Sequence, residues 1–192
     1  MKLLEEKILS EGVVEGDDIL KVDSFINHQV DPALMEGFGR EIANHFKDGH
    51  ITKVATIESS GIAPALMTAR FLNVPMLIMK KQPSRILNKN LYQTEVSSYT
   101  TEKGYELCVS RDYLSEDDHV LIVDDFLANG EAAAGAMRLI RLSHATVAGL
   151  GVLIEKSFQP GREKLESLGL DVYALARIKS LEGGKVTFLE EG

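Results

Sequence analysis

Asp124 and Asp125 are the side chains of this sequence best placed for chemistry. They follow the apolar run 120–123, and the short stretch Phe126, Leu127, Ala128, Asn129, Gly130 turns behind them. A run of four apolar residues bounded by His119 and Asp124 predicts a strand covered on both faces, with the carboxylates emerging at its carboxyl end. From Gly130 the run EAAAGAMRLI carries strong helix formers and an apolar stripe at Ala133, Ala136, Met137 and Ile140. The N–H groups of that helix start face whatever lies above the turn, and an anion is expected there. Paired acids beside an anion-binding turn suit a phosphorylated sugar.

Two other acid pairs serve as controls. Asp17-Asp18 and Asp117-Asp118 sit in polar segments with no apolar strand before them and no small-residue turn behind, so both read as plain surface. Other strand ends carry more chemistry. A predicted strand 53–57 ends in Glu58, Ser59, Ser60 and Gly61, a small-residue turn opening a helix, whose hydroxyls and N–H groups can meet a second anion. Strand 74–79 ends in Lys80 and Lys81, and strand 146–154 ends in Glu155 and Lys156. In an open parallel sheet ligands sit beyond the carboxyl ends of the strands, so these groups converge on one edge.

The elements that must position them alternate along the chain. Strands 53–57, 74–79, 120–124, 146–154 and 171–178 are interleaved with helices 62–72, 130–142 and 161–168, the βαβ pattern of an α/β fold with helices flanking a parallel sheet. An earlier helix is marked by Asp31 as N-cap, Pro32 at the first helical position, and Met35, Phe38, Ile42 and Phe46 at three- and four-residue spacing until Gly49. Residues 3–9 form a short amphipathic segment, and Val13-Val14 with Ile19-Leu20 read as extended pieces around a Gly16-Asp17-Asp18 turn. Runs 93–101 and 105–110 suggest a hairpin with polar faces, and so little to bury makes it a candidate lid.

No Pro/Gly/Ser-rich linker divides the 192 residues, so 1–192 reads as one domain. No stretch of eighteen apolar residues and no basic-then-apolar leader occurs, which predicts a soluble, cytoplasmic protein. The lone Cys108, between Leu107 and Val109, is expected to be a buried structural thiol, and the five histidines lack metal-ligand spacing. With 21 basic and 29 acidic side chains the formal charge is −8. That balance argues against a nucleic-acid partner, which demands a concentrated basic surface. An acidic chain must hold a polyanion through local donors, helix termini and a divalent cation.

The strand, acid pair and small loop at VLIVDDFLANG resemble the diphosphoribose-binding motif of type I phosphoribosyltransferases. The resemblance implies that family's fold, a parallel sheet flanked by helices, with a flexible lid hairpin near 85–104 and a small hood near 1–30 and 156–192. It assigns Asp124 and Asp125 to the ribose of phosphoribosyl diphosphate and Ala128, Asn129, Gly130, Glu131 and Ala132 to its 5-phosphate. Ser59, Ser60 and Gly61 match the family's diphosphate loop, Lys80 and Lys81 its diphosphate-contacting basic residues, and Ser98-Tyr99 the Ser-Tyr pair of its closing loop. Asn129 and Ala132 stand where family members often carry hydroxyl side chains, which shifts phosphate binding toward backbone N–H groups and the Asn129 amide.

Within that family the segments LKVDSFINHQVDP, IESSGIAPA, VDDFLANG and IEKSFQPGR are similar to bacterial members that salvage xanthine to xanthosine monophosphate as homodimers. The matching positions for the base are Leu20, Asn27 and Lys156, with Phe158 suited to stacking. A xanthine pocket needs donors on both sides of the base, which the donor-only Lys156 meets, whereas Asn27 can donate or accept. Mg²⁺ is implied through the diphosphate. Small-molecule substrates, no nucleic acid and no membrane are the partners expected. The alternatives are a guanine/hypoxanthine or adenine phosphoribosyltransferase, or a phosphoribosyl-diphosphate-sensing regulator. The regulator is disfavoured by the dozen or so residues before the first predicted strand.

Overall fold

The alternating pattern folds into a twisted sheet with helices on both faces. The computed structural model describes residues 1–81, 90–96 and 104–189. In chain order come Lys2–Glu11 (α1), Val13–Glu15 (β1), Ile19–Lys21 (β2), Pro32–Phe46 (α2), Lys53–Ile57 (β3), Ile62–Leu72 (α3), Met76–Met79 (β4), Leu91–Val96 (β5) and Tyr105–Ser110 (β6). Then follow His119–Leu127 (β7), Glu131–Leu142 (α4), Thr146–Lys156 (β8), Gly161–Ser167 (α5), Val172–Ser180 (β9) and Thr187–Phe188 (β10). Asp31 caps α2 as expected: its Oδ1 accepts from Ala33 N at 3.0 Å and Leu34 N at 3.2 Å, with Pro32 behind it.

The main sheet has the order β10-β9-β8-β7-β3-β4. Strands β4, β3, β7, β8 and β9 pair in parallel, and β10 closes one edge antiparallel to β9. From β3 the chain winds outward to β4, then returns to β7 and winds the other way through β8 and β9. The order therefore reverses between β3 and β7, and the crevice beyond their carboxyl ends is where a doubly wound sheet binds ligands.

Each face of the sheet has its own core. On β7, Val120 and Ile122 pack with the small face of α4 (Ala133, Ala136, Met137, Ile140), while Leu121 and Val123 pack with α2 and α3 through Phe38, Ile42 and Ala65. The side-chain period of two that makes this division places Asp124 on the α4 side. Truncating one of these fully buried aliphatic side chains to alanine would cost about 2–5 kcal/mol.

Three expectations need correction. Strand β7 does not stop at Asp124 but continues to Leu127, because Phe126 and Leu127 go on pairing with Ile154 and Glu155 of β8. The acid pair thus lies inside the strand's last turn of pairing, which fixes its backbone. The β5–β6 hairpin forms, yet it is not polar on both faces: Val96, Leu107, Cys108 and Val109 are buried, and Val96, Leu107 and Val109 join the α4-side core. Its base is also tied to β4, where Lys80 and Cys108 exchange two backbone hydrogen bonds of 2.9 Å. The described part of the candidate lid is therefore anchored, and Ser98 and Tyr99 lie outside the described residues. Third, Asp118 is not plain surface but a buried acid, discussed below. Cys108 is a buried free thiol, as read from its neighbours. Among the described residues no helix is long and apolar enough to cross a membrane.

Candidate active site

The crevice between β3 and β7 is built by close backbone approach. Pairing between these strands ends at Ala55 and Ile122, so both carboxyl-terminal segments diverge just before Asp124. The turn after β3 fills the gap. A β-carbon at Gly61 would lie 2.3 Å from Thr56 Oγ1 and 2.7 Å from Asp124 Oδ1, so only glycine lets this turn rest on the acid pair. Ser59 is exposed and Ser60 half-buried in the same turn, and no side chain caps α3, which opens from it. The predicted anion-binding turn and the predicted acid pair thus meet.

The carboxyl of Asp124 is placed at a cost. It accepts the N–H of Asp125 at 2.9 Å, and no lysine or arginine among the described residues forms an ion pair with it. Burial, and then the neighbouring charge of Asp125, push its pKa well above the usual carboxylate range, with Lys81 opposing weakly. Tyr105, at the start of β6, faces the same spot: burial and the Asp124 charge raise its phenol, and the Lys81 ammonium sits 5.6 Å from its ring centroid. Tyr105 was not singled out from the sequence, because nothing local marks a residue in a hairpin as adjacent to a strand end.

Lys80 and Lys81 divide the work around Glu58. Lys80 Nζ pairs with Glu58 Oε2 at 3.0 Å, and the Lys81 backbone N–H donates to Glu58 Oε1 at 2.9 Å. That backbone bond, with the Lys80 ammonium, holds the Glu58 carboxyl below its ordinary pKa. The Lys81 side chain is left to the crevice.

The loop 128–132 closes the other side. Gly130, at φ +78°, takes the left-handed turn that starts α4. Gly161 N–H donates to Ala128 O at 3.0 Å, and Lys164 pairs with Glu131 at 2.5 Å. Asn129 Oδ1 accepts the N–H of Glu131 at 3.1 Å, so the amide end of this side chain remains as its donor. A cavity of about 100 Å³ is lined by Asp124, Phe126, the loop residues Ala128, Asn129, Gly130 and Ala132, and Leu150 and Val152, while Glu131 turns to Lys164 instead. A larger one, about 600 Å³, lies between β4 and β6 and shares only Lys80 with the residues named here.

Of the residues matched to the base, Lys156 ends β8 and Phe158 follows it two residues on. Lys156 Nζ donates to the carbonyl of Asp18 at 2.5 Å, drawing the β1–β2 turn over the strand end, and sits 5.7 Å from the Phe126 ring centroid. Burial lowers its pKa, and the charge of Asp18 counteracts part of that. Glu155 is not its partner: that acid is 1% exposed and held by Arg162, Ser157 and Arg177. Leu20, on β2, is buried, Asn27 ends a single wide helical turn, Asp23–Asn27, and is exposed, and Phe158 is 41% exposed. Among the described residues no cluster of three or more His, Cys, Asp or Glu could hold a metal by itself.

Comparison with known proteins adds the context. A family described as phosphoribosyl transferase domain matches residues 29–169. Xanthine phosphoribosyltransferase of Agathobacter rectalis is 62% identical over 191 residues, a coverage of 100% of each chain to the nearest per cent. Xanthine phosphoribosyltransferase 1 of Clostridium botulinum is 56% identical over 190 residues, covering 99% of this chain and 100% of that one. Among solved structures, adenine phosphoribosyltransferase from Thermoanaerobacter pseudethanolicus superposes with a TM-score of 0.76 at 23% identity over 91% of this chain and 99% of that chain. The corresponding enzyme of Giardia lamblia, complexed with 9-deazaadenine, gives 0.67 at 27% identity over 76% of this chain and 80% of that chain.

Proposed function

The chain belongs to the phosphoribosyltransferase family, and we propose from that premise that it transfers the 5-phosphoribosyl group of phosphoribosyl diphosphate to xanthine, giving xanthosine 5′-monophosphate and diphosphate in purine salvage. The observation that carries the base is the full-length likeness to relatives named xanthine phosphoribosyltransferase. The crevice supports the chemistry. A purine ring nitrogen attacks the anomeric carbon as the bond to diphosphate breaks, and departure leads attack. Positive charge then grows on the ribose beside a carboxylate pair with which no described lysine or arginine forms an ion pair, so the unfavourable ionisation of Asp124 is relieved as the transition state forms. Lys81 and the turn at Ser59, Ser60 and Gly61 take up charge on the leaving diphosphate. Position and electrostatics suffice for such a reaction, and no side-chain nucleophile is needed.

Mg²⁺ is the proposed cofactor. The Asp124 and Asp125 carboxylates are hard oxygen donors able to meet a hydrated Mg²⁺, whose chemistry when bound is to neutralise charge on the departing diphosphate. On the same reading Lys156 donates to a xanthine carbonyl, and the chain works as a cytoplasmic homodimer, as the family resemblance implies. A spectrophotometric panel of xanthine, hypoxanthine, guanine and adenine with saturating phosphoribosyl diphosphate and Mg²⁺ tests the substrate. Xanthine should give the highest kcat/KM, and a higher value for any other base would contradict the reading.

A further inference from the structure

Helix α5 touches the loop 128–132 at two points. Gly161 N–H holds Ala128 O at 3.0 Å, and Lys164 Nζ holds the Glu131 carboxylate at 2.5 Å. The first contact is a backbone N–H at the start of the helix and the second a side chain one turn further on. The helix is itself fixed: Arg162 Nε lies 3.0 Å from both oxygens of Glu155 on β8, its Nη2 2.5 Å from Oε2, and its Nη1 2.8 Å from Val172 O on β9. A carboxylate at the first position of α4 is favourable for the helix, but it repels a dianion arriving at the same helix start. Glu131 is therefore a liability in a phosphate loop unless its charge is cancelled.

We propose that Lys164 is a positioning residue for phosphoribosyl diphosphate: it neutralises Glu131 beside the phosphate site and, with Gly161, clamps the loop between β7 and α4. The inference rests on the reading that loop 128–132 takes the 5-phosphate. The pair is about one-third exposed on each side, 35% for Lys164 and 33% for Glu131, so its effect is moderate and sensitive to salt.

Steady-state kinetics on the full-length enzyme with phosphoribosyl diphosphate, Mg²⁺ and xanthine provide the test. At low ionic strength Lys164→Ala should raise the KM for phosphoribosyl diphosphate about three- to tenfold, with a smaller change in kcat, and the effect should shrink at high salt. Lys164→Arg should restore the KM, and Glu131→Gln combined with Lys164→Ala should bring it back toward the original value. A KM for Lys164→Ala within twofold of the parent, or a double variant as poor as the single one, overturns the inference. Ala132→Glu separates this from the reading beneath it. If Ala132→Glu raises the KM strongly while Lys164→Ala does not, only the Lys164 inference falls; if Ala132→Glu leaves the KM unchanged, the loop is not the phosphate site and both fall.

Discussion

Two acids flank the apolar run 120–123 of β7, one on each side, and they have opposite fates. Asp118, immediately before the strand, is 9% exposed and fully partnered: Lys53 Nζ at 3.0 Å, Thr52 Oγ1 at 3.0 Å and Ser115 N at 2.9 Å all donate to it. Burial works against its ionisation, but these bonds outweigh it and hold its pKa below the ordinary value. Asp124, just after the apolar run, has a neighbouring acid where Asp118 has a lysine, and its pKa is raised. One side of the run spends its charge on the fold. The other sets two acids side by side with no ion pair among the described residues, an arrangement suited to a cationic centre forming beside them.

The comparison breaks most visibly in turnover. Asp124→Asn with Asp125→Asn should lower kcat by about 10²–10³-fold or more, the scale of removing preorganised charge from a transition state, with circular dichroism unchanged. Asp118→Asn should do the reverse, leaving kcat near the parent value and lowering stability to urea. A broken buried ion pair costs about 3–5 kcal/mol; Lys53 keeps the Tyr113 carbonyl and is 16% exposed, so about 2–4 kcal/mol is expected.

A smaller effect sharpens the contrast through pH. Because the folded pKa of Asp118 is depressed, its contribution is fully present above about pH 4 and is lost as pH falls through the folded value, so the gap between parent and Asp118→Asn should close in acid. For Asp124 the folded pKa is raised, so ionising it costs stability as pH climbs from about 4 through that value. Asp124→Asn should therefore match the parent in acid and become the more stable protein toward neutrality. Urea midpoints at several pH values report both trends, and parallel curves for the two variants would contradict the distinction.

Much of this was legible in the chain because local signals agree with the fold. The helix 62–72 and strand 53–57 were expected with the bounds they adopt, since apolar periodicity and flanking small residues mark both. The convergence of Glu58–Gly61, Lys80-Lys81 and the acid pair followed from parallel topology alone. What escaped depends on distant partners. Asp118 reads as one acid among several polar neighbours, and its lysine and threonine lie 65 and 66 residues away. The hairpin looked polar because Gln93, Thr94 and Glu95 dominate one strand, while Val96 finds its place only against Gly135, where a β-carbon would lie 2.4 Å from Val96 Cγ2. Glu155 and Lys156 are adjacent, yet strand alternation sends one to Arg162 and the other to the Asp18 carbonyl.

The central claim is that the crevice between β3 and β7, and no other cavity, holds the phosphoribosyl group. A crystal structure with xanthosine 5′-monophosphate bound tests it most directly. The account predicts the 5′-phosphate within hydrogen-bonding distance of N–H groups of residues 128–132, the ribose hydroxyls on Asp124 and Asp125, and the base against Lys156. Nucleotide seated instead in the larger cavity between β4 and β6, among Met76, Ile78, Cys108 and Leu114, with the acid pair untouched, would contradict it.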